Sequence, residues 1–224
     1  MLGPPFTVAQ FFAVFADYNA AIWPLQIVAY GLGVLAVVAL WLRRPPANQV
    51  ILSVLALMWA MNGIGYHLLF FAEINPIAPA FAALFLLQSI LFAGAVLIPN
   101  DLRFEIRPNF ISAAGLSCIV YALLIYEILG YRAGHGPMAG PLFGVAPCPT
   151  TIFTIGMLLL ARGKWVVRLS IIPILWSLIG LAAAVQLGIP EDFGLPVAAL
   201  ALVIALTVGA PWARRPVVSR RHGA

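Results

Sequence analysis

From Ala21 onward the chain reads as long apolar runs separated by short polar segments. Seven runs are discernible: Ala21 to Leu42, Val50 to Phe71, Ile77 to Ile98, Phe110 to Leu129, Phe143 to Ala161, Leu169 to Leu187, and Leu195 to Val208. Inside each run apolar residues follow one another continuously rather than alternating with a period of two, which favours helices over strands of a barrel. Several approach the roughly 20 residues that a helix needs to cross a bilayer core. The fifth and seventh are shorter or interrupted by proline. The pattern predicts an all-α membrane protein with seven transmembrane helices. Ahead of the first run, Val8, Phe11, Phe12 and Phe15 recur at helical spacing within Thr7 to Tyr18, while Gln10 and Asp17 are polar. Thr7 with Gln10 fits a capping box. This stretch predicts a short amphipathic helix lying in the outer interface.

Composition agrees with a lipid-solvated chain. Hydrophobic residues make up 63% and charged residues only 8%, and the mean hydropathy is +1.05. A water-facing domain carries about a quarter charged residues. In lipid, only helices and closed barrels satisfy the backbone. The net charge of +5 does not point to nucleic acid, because the basic residues sit in the loops between runs. Arg43 and Arg44 follow run one, Arg103 and Arg107 run three, Arg162, Lys164 and Arg168 run five, and Arg214, Arg215, Arg220 and Arg221 run seven. Of the twelve basic residues only Arg132 falls on the other side. The positive-inside rule therefore predicts an outer N-terminus and a cytoplasmic C-terminus. The acids follow the opposite trend: Asp17, Glu73, Glu191 and Asp192 are placed outside, Glu127 at the outer end of run four, and only Asp101 and Glu105 inside. The first twenty residues have no basic segment before an apolar one, and Asp17 stands where a cleavage region would be, so no signal peptide is expected.

An internal repeat suggests how the runs are grouped. Pro24, Ile27 and Gly31 of run one align with Pro149, Ile152 and Gly156 of run five; Trp59 and Gly63 with Trp176 and Gly180; Glu73 with Glu191; and Ala82 to Leu84 with Ala198 to Leu200. The order holds over three runs in each half. Parallel three-helix repeats joined by a linker helix are a transporter plan. The resulting division is an interfacial helix (1–20), a first three-helix unit (21–98), a linker helix with a Gly/Pro-rich outer loop (99–142), a second unit (143–210) and a basic cytoplasmic tail (211–224).

Two stretches carry the candidate chemistry. In Trp59 to Pro79, Asn62 and Tyr66 share a helix face with His67 beside them, and Gly63 and Gly65 allow close approach of a helix or ligand. Polar groups at membrane depth are costly and face partners or cavities. The candidate solute-binding residues are Trp59, Asn62, Tyr66, His67, Glu73, Gln88, Glu127 and Trp176, arranged as a site opening outward; the alternative is helix-to-helix hydrogen bonding that only fixes packing. Gln26 and Ser89 are candidates for the same interior. In Phe143 to Thr151, Pro149 fits a first helical turn, and Thr150 and Thr151 can satisfy free backbone groups. Cys148 at a helix start is a candidate soft-metal ligand with His67 and His135, although no pair of these has a recognised ligand spacing; its alternative is an inert buried thiol. Cys118, the other cysteine, reads as a small core residue. No resident cofactor is expected.

Several classes are excluded. Run seven has no lysine for a retinal Schiff base, and the chain has no Walker motif, GxSxG or HExxH. The Asn-Gly-Ile-Gly-Tyr-His…Glu-Ile-Asn-Pro stretch (62–76) together with Phe-Gly-Val-Ala-Pro-Cys-Pro-Thr-Thr (143–151) resembles a family of bacterial multipass membrane proteins of unknown function. That resemblance implies a bacterial inner-membrane location and brings no activity. The 3+1+3 plan is also similar in architecture to the SWEET and PQ-loop transporters, whose Pro-Gln pair is here Pro24-Leu25-Gln26 and Pro149-Thr150-Thr151. The expected partners are the lipid bilayer and a small solute or cation, with no nucleic acid; an oligomer is left open. Small-solute transport or binding is the leading expectation. A metal or thiol protein using Cys148 and His67, and a non-catalytic accessory subunit, are the alternatives.

Overall fold

The computed structural model describes residues 5–42, 45–136 and 138–208. Arg43, Arg44 and the basic tail 211–224 lie outside the described residues.

The chain opens with α1 (Val8–Ala21), whose start is the expected capping box: the Gln10 backbone N–H donates to Thr7 Oγ1 at 3.2 Å and the Thr7 N–H donates to Gln10 Oε1 at 2.8 Å. A turn through Trp23 and Pro24 separates α1 from α2 (Leu25–Leu42). Next, α3 (Pro45–Met61) continues without a break into a π-helical stretch, Asn62–Leu68, and a 3-10 turn, Phe71–Glu73, before α4 (Ala78–Leu97). A second rod is built the same way: α5 (Phe110–Val120), a π-helical stretch Tyr121–Ile125, and α6 (Tyr126–Arg132). The second half has α7 (Pro147–Leu159), α8 (Trp165–Leu187), a 3-10 turn Pro190–Phe193 and α9 (Gly194–Val208).

Among the described residues six helices are long and apolar enough to cross a membrane: Leu25–Leu42, Pro46–Glu73, Ala78–Leu97, Phe110–Arg132, Trp165–Leu187 and Pro190–Val208. The fifth apolar run differs from the expected extent. Phe143 to Ala146 form a turn, and α7 holds only 13 residues. At 1.5 Å per residue it is about 20 Å long, short of a bilayer core of about 30 Å. It also needs no lipid contact. Apart from Cys148 every residue of α7 is buried, and α3, α5, α8 and α9 pack around it. The other helices turn an apolar face outward, with Ile27, Trp41, Ile90, Leu178 and Val197 all exposed, as a lipid-solvated surface requires.

Helices in lipid gain nothing from hiding apolar surface, so close packing of small residues holds them together. Gly156 of α7 lies against Gly115 of α5: a Cβ at Gly156 would stand 2.8 Å from the Gly115 carbonyl oxygen. Gly63 does the same toward α4, where a Cβ would stand 3.2 Å from the Ala82 carbonyl oxygen.

At the end opposite α1 and α6, β1 (Arg103–Phe104) pairs antiparallel with β2 (Ala161–Arg162), pinning the α4–α5 and α7–α8 connections together. Glu105 bridges Arg162 at 2.9 Å and Arg107 at 3.7 Å, and the Asp101 carboxylate accepts the Lys164 backbone N–H at 3.1 Å. Burial and the neighbouring Arg162 lower the Arg107 pKa from its ordinary value, while Glu105 opposes the shift. Of the acids and bases of this loop, Glu105 and Arg107 are thus partners, while Arg103 donates to the Leu102 carbonyl at 2.8 Å. Trp165 to Arg168, expected as loop, forms the first turn of α8; the Arg168 guanidinium lies 5.6 Å from the Trp165 ring centroid.

Candidate functional site

The first π-helical stretch shapes the site. An α-helix bonds each N–H four residues back, whereas a π-turn bonds five back and displaces the side chains that follow. Here the Leu69 N–H donates to the Ile64 carbonyl at 3.2 Å. Five of the seven residues in the stretch, Asn62, Gly63, Gly65, Tyr66 and His67, are buried. Tyr66 and His67, neighbours in sequence, both line one cavity of about 210 Å³.

That cavity lies among α1 and the turn before it, the π-stretch and the 3-10 turn after it, the starts of α4 and α7, and the second half of α8. Its walls are aromatic. Phe15 stacks on Tyr66 at 4.5 Å and Tyr66 on Phe71 at 5.3 Å. His67 meets Phe85 at 4.8 Å and Trp176 at 5.1 Å, and Phe81 meets Trp176 at 5.3 Å. Against this apolar lining stand a few polar atoms with nothing to bond. Both ring nitrogens of His67, the Tyr66 hydroxyl and Trp176 Nε1 are buried and find no hydrogen-bond partner among the described residues. Cys148 and Asp192 line the same cavity. Trp176 Nε1 and the Cys148 thiol face each other outside hydrogen-bond geometry.

A second polar cluster adjoins the cavity through Asp192. Glu191 and Asp192 are 0% and 2% exposed. The Tyr126 hydroxyl donates to Asp192 Oδ1 and the Tyr121 hydroxyl donates to the Glu191 carbonyl at 2.7 Å. Glu191 Oε1 is 2.8 Å from His135 Nδ1, and Glu191 Oε2 has no partner among the described residues. Glu127 accepts the Phe143 backbone N–H at 2.9 Å and stands beside the Tyr30 hydroxyl. The second π-helical stretch, Tyr121–Ile125, directly precedes Tyr126 and Glu127, so both clusters stand at a π-turn.

The expected site residues divide accordingly. Tyr66, His67, Trp176 and Cys148 meet at the cavity. Trp59 and Asn62 sit deeper and tie α3 to α7: Trp59 Nε1 donates to Thr154 Oγ1 at 2.9 Å, and Asn62 Nδ2 donates to Thr150 Oγ1 at 3.3 Å and to the Gly144 carbonyl at 3.3 Å. Gln88 donates to the Leu169 carbonyl at 3.0 Å, Ser89 to that of Ala56 at 2.8 Å and Gln26 to that of Asn19 at 2.8 Å. These bonds are packing ties. Glu73 is exposed and does not line the cavity. His135 pairs with Glu191, away from His67. Among the described residues no group of three or more His, Cys, Asp or Glu side chains is placed to hold a metal ion.

Sequence reasoning passed over the aromatic walls from α1 and Phe71, and it placed Glu191 and Asp192 only as acids of an outer loop. One signal for the acids was available. Glu73 and Glu191 align in the expected repeat, but Ile74, Asn75 and Pro76 follow Glu73, while a second acid follows Glu191 with no basic residue nearby in sequence. A pair of acids beside a membrane helix without a counter-ion is a candidate buried pair.

The chain matches a family of unknown function, DUF6064, over residues 8–213. The chain belongs to that family. None of the curated proteins and none of the solved structures matches it.

Proposed function

We propose that this DUF6064 member binds a small solute in the aromatic cavity and carries it across a bacterial inner membrane, as a seven-span protein with its N-terminus outside and its C-terminus in the cytoplasm. One observation carries the reading: four polar atoms, on Tyr66, His67 and Trp176, are buried around one cavity without partners among the described residues. An unpaired buried polar atom costs about 1–3 kcal/mol. A cluster of them is rational where a bound molecule or ordered water completes the bonds. A purely accessory subunit gains nothing from such an arrangement. The repeated spacing of Pro, Gly and Trp in the two halves of the sequence supports transport over static binding, and the gathering of Arg103, Arg107, Arg162, Lys164 and Arg168 at the β1–β2 end supports the orientation.

The test is ligand-induced thermal stabilisation of detergent-purified protein across a panel of small solutes, beside Ala183→Trp, which places an indole in the cavity from α8. Stabilisation of several degrees by one chemical group, absent in the variant, supports the reading. A panel without effect on either protein removes it. Uptake of the stabilising solute into proteoliposomes then decides transport.

The placing of Cys148 and His67 on one cavity supports a second reading, a thiol or metal site. Elemental analysis of the protein and of Cys148→Ser separates the two. A metal near one per chain, lost in the variant, favours this second reading.

A further inference from the structure

The rim of the cavity points to where its ligand comes from. The exposed lining residues are Pro5, Ile77, Ala182 and Gln186. None is charged. Ile77 opens α4 and is 57% exposed. Ala182 stands six residues before Gly188, where α8 ends, so the mouth reaches about 9 Å down the helix from its end. On either side of Ala182 the outward face of α8 carries Leu178 and Val185, 59% and 65% exposed, which is the surface lipid covers in a membrane helix. The mouth is continuous with that face. A water-soluble solute would enter past charged or polar groups that replace its hydration, whereas a rim of this kind suits a molecule already dissolved in lipid.

The floor narrows the class. Tyr66 O–H and Trp176 N–H are donors, and His67 in its neutral form adds one N–H donor and one acceptor. The wall is aromatic and the one carboxylate, Asp192, already accepts from Tyr126. An anion would face that carboxylate, and a cation would find a single negative charge, already shared with Tyr126. An uncharged head bearing carbonyl or ether oxygens matches the donors. A cavity of about 150 Å³ with apolar walls takes up a benzene ring, so 210 Å³ admits a substituted ring while its chain leaves through the mouth. We infer that the cavity takes an uncharged, lipid-soluble molecule with an oxygen-bearing ring head and an alkyl tail, the chemical class of the alkyl quinones, entering sideways from the bilayer between α1, α4 and α8.

This rests on the proposed binding site and is tested separately from it. The probe is a fully substituted benzoquinone, unable to add to Cys148, with a ten-carbon chain carrying a diazirine. It is incorporated with the protein in lipid nanodiscs, and crosslinks are located by mass spectrometry. Two comparison probes are used: the same chain without the ring, and the same ring with a short, water-soluble diazirine arm. The expected result is labelling within residues 179–187 and 71–81 by the tailed quinone, at least tenfold above the headless chain. The unlabelled tailed quinone should compete it away. Ala183→Trp should abolish it, and Tyr66→Phe with His67→Phe should reduce it about tenfold. His67→Gln, which keeps a donor and an acceptor, should restore most of it, and the unfolding temperature of each variant controls for folding. Equal labelling by the headless chain overturns the inference, because the site then holds only lipid. Labelling by the short-armed ring alone overturns lateral entry while leaving a solute site in place. No labelling of these segments by any probe overturns the ligand class, and if the solute panel also fails, the binding reading falls with it.

Discussion

Helices α2 and α7 start alike and end in opposite surroundings. Pro24, Ile27 and Gly31 match Pro149, Ile152 and Gly156 in spacing. Yet Ile27 is 61% exposed and Ile152 only 1%. A Cβ on Gly31 would meet nothing within 4 Å, whereas one on Gly156 would strike Gly115 and Ile119 at 2.8 Å. The polar load between the matched positions differs. Where α2 has Leu25, Gln26 and Ala29, α7 has Thr150, Thr151 and Thr154. Thr151 and Thr154 return their hydroxyl protons to carbonyls four residues back, at 2.8 Å each, and Thr154 also accepts from Trp59. In a membrane protein, lipid and interior are equally apolar, so an Ile or a Gly says little about which side it faces. Hydroxyls that can satisfy themselves within the helix and still reach a neighbour mark the buried one.

The largest expected effect is at the matched glycines. Gly156→Leu should separate α5 from α7, since the obstacle is backbone and cannot rotate away; overpacking of a tight site costs about 1–3 kcal/mol and more where backbone must move. Loss of monodisperse protein on size-exclusion chromatography is the expected result, with Gly31→Leu close to the parent. If both variants behave alike, α7 is not the packed centre. Next come the matched isoleucines. Ile152→Ala leaves a cavity that neighbours cannot fill and should cost about 2 kcal/mol, while Ile27→Ala should change the unfolding midpoint in detergent very little, because lipid or detergent fills the gap. Equal midpoints would contradict the opposite placing of the two helices.

Much of the architecture was legible from the runs. The start of α1 follows from the Thr7 and Gln10 pattern, the end of α2 and the limits of α4 from apolar length, and the two loops joined by β1 and β2 from loop charge; α2 starts later than run one, at Leu25, because α1 extends to Ala21. The depth of α7 was not legible, because isoleucine and glycine serve equally against protein and against lipid, and the threonines that mark the buried helix were read only as groups satisfying free backbone at its start. At the site, Tyr66, His67, Trp176 and Cys148 were legible as costly groups in an apolar setting. Their convergence was hidden by the π-helical stretch at Asn62–Leu68, which displaces the face that a regular 3.6-residue period predicts. The same effect hid Tyr126 and Asp192 as partners. The aromatic side chains of α1 were read as the apolar face of a helix lying in the outer interface, and only the folding of α1 back over Tyr66 makes Phe15 a wall of the cavity.

The smallest effect is the most exacting test of what distinguishes α7 from α2. Trp59 Nε1 and Thr154 Oγ1, 2.9 Å apart and fully buried, form the only side-chain bond that Trp59 can donate. Trp59→Phe also removes ring area from the stack on Phe85, and Thr154→Val also removes the bond to the Thr150 carbonyl, so neither single variant isolates the contact. A double-mutant cycle does, because those side losses appear in both arms and cancel. Interhelical hydrogen bonds in membrane proteins average about 0.6 kcal/mol, with about 1.7 kcal/mol as the upper end, and a coupling within that range from reversible unfolding in detergent is expected. A coupling of zero would mean that the hydroxyls of α7 satisfy only their own helix. In that case shape alone, through Gly156 against Gly115, would set α7 apart from α2.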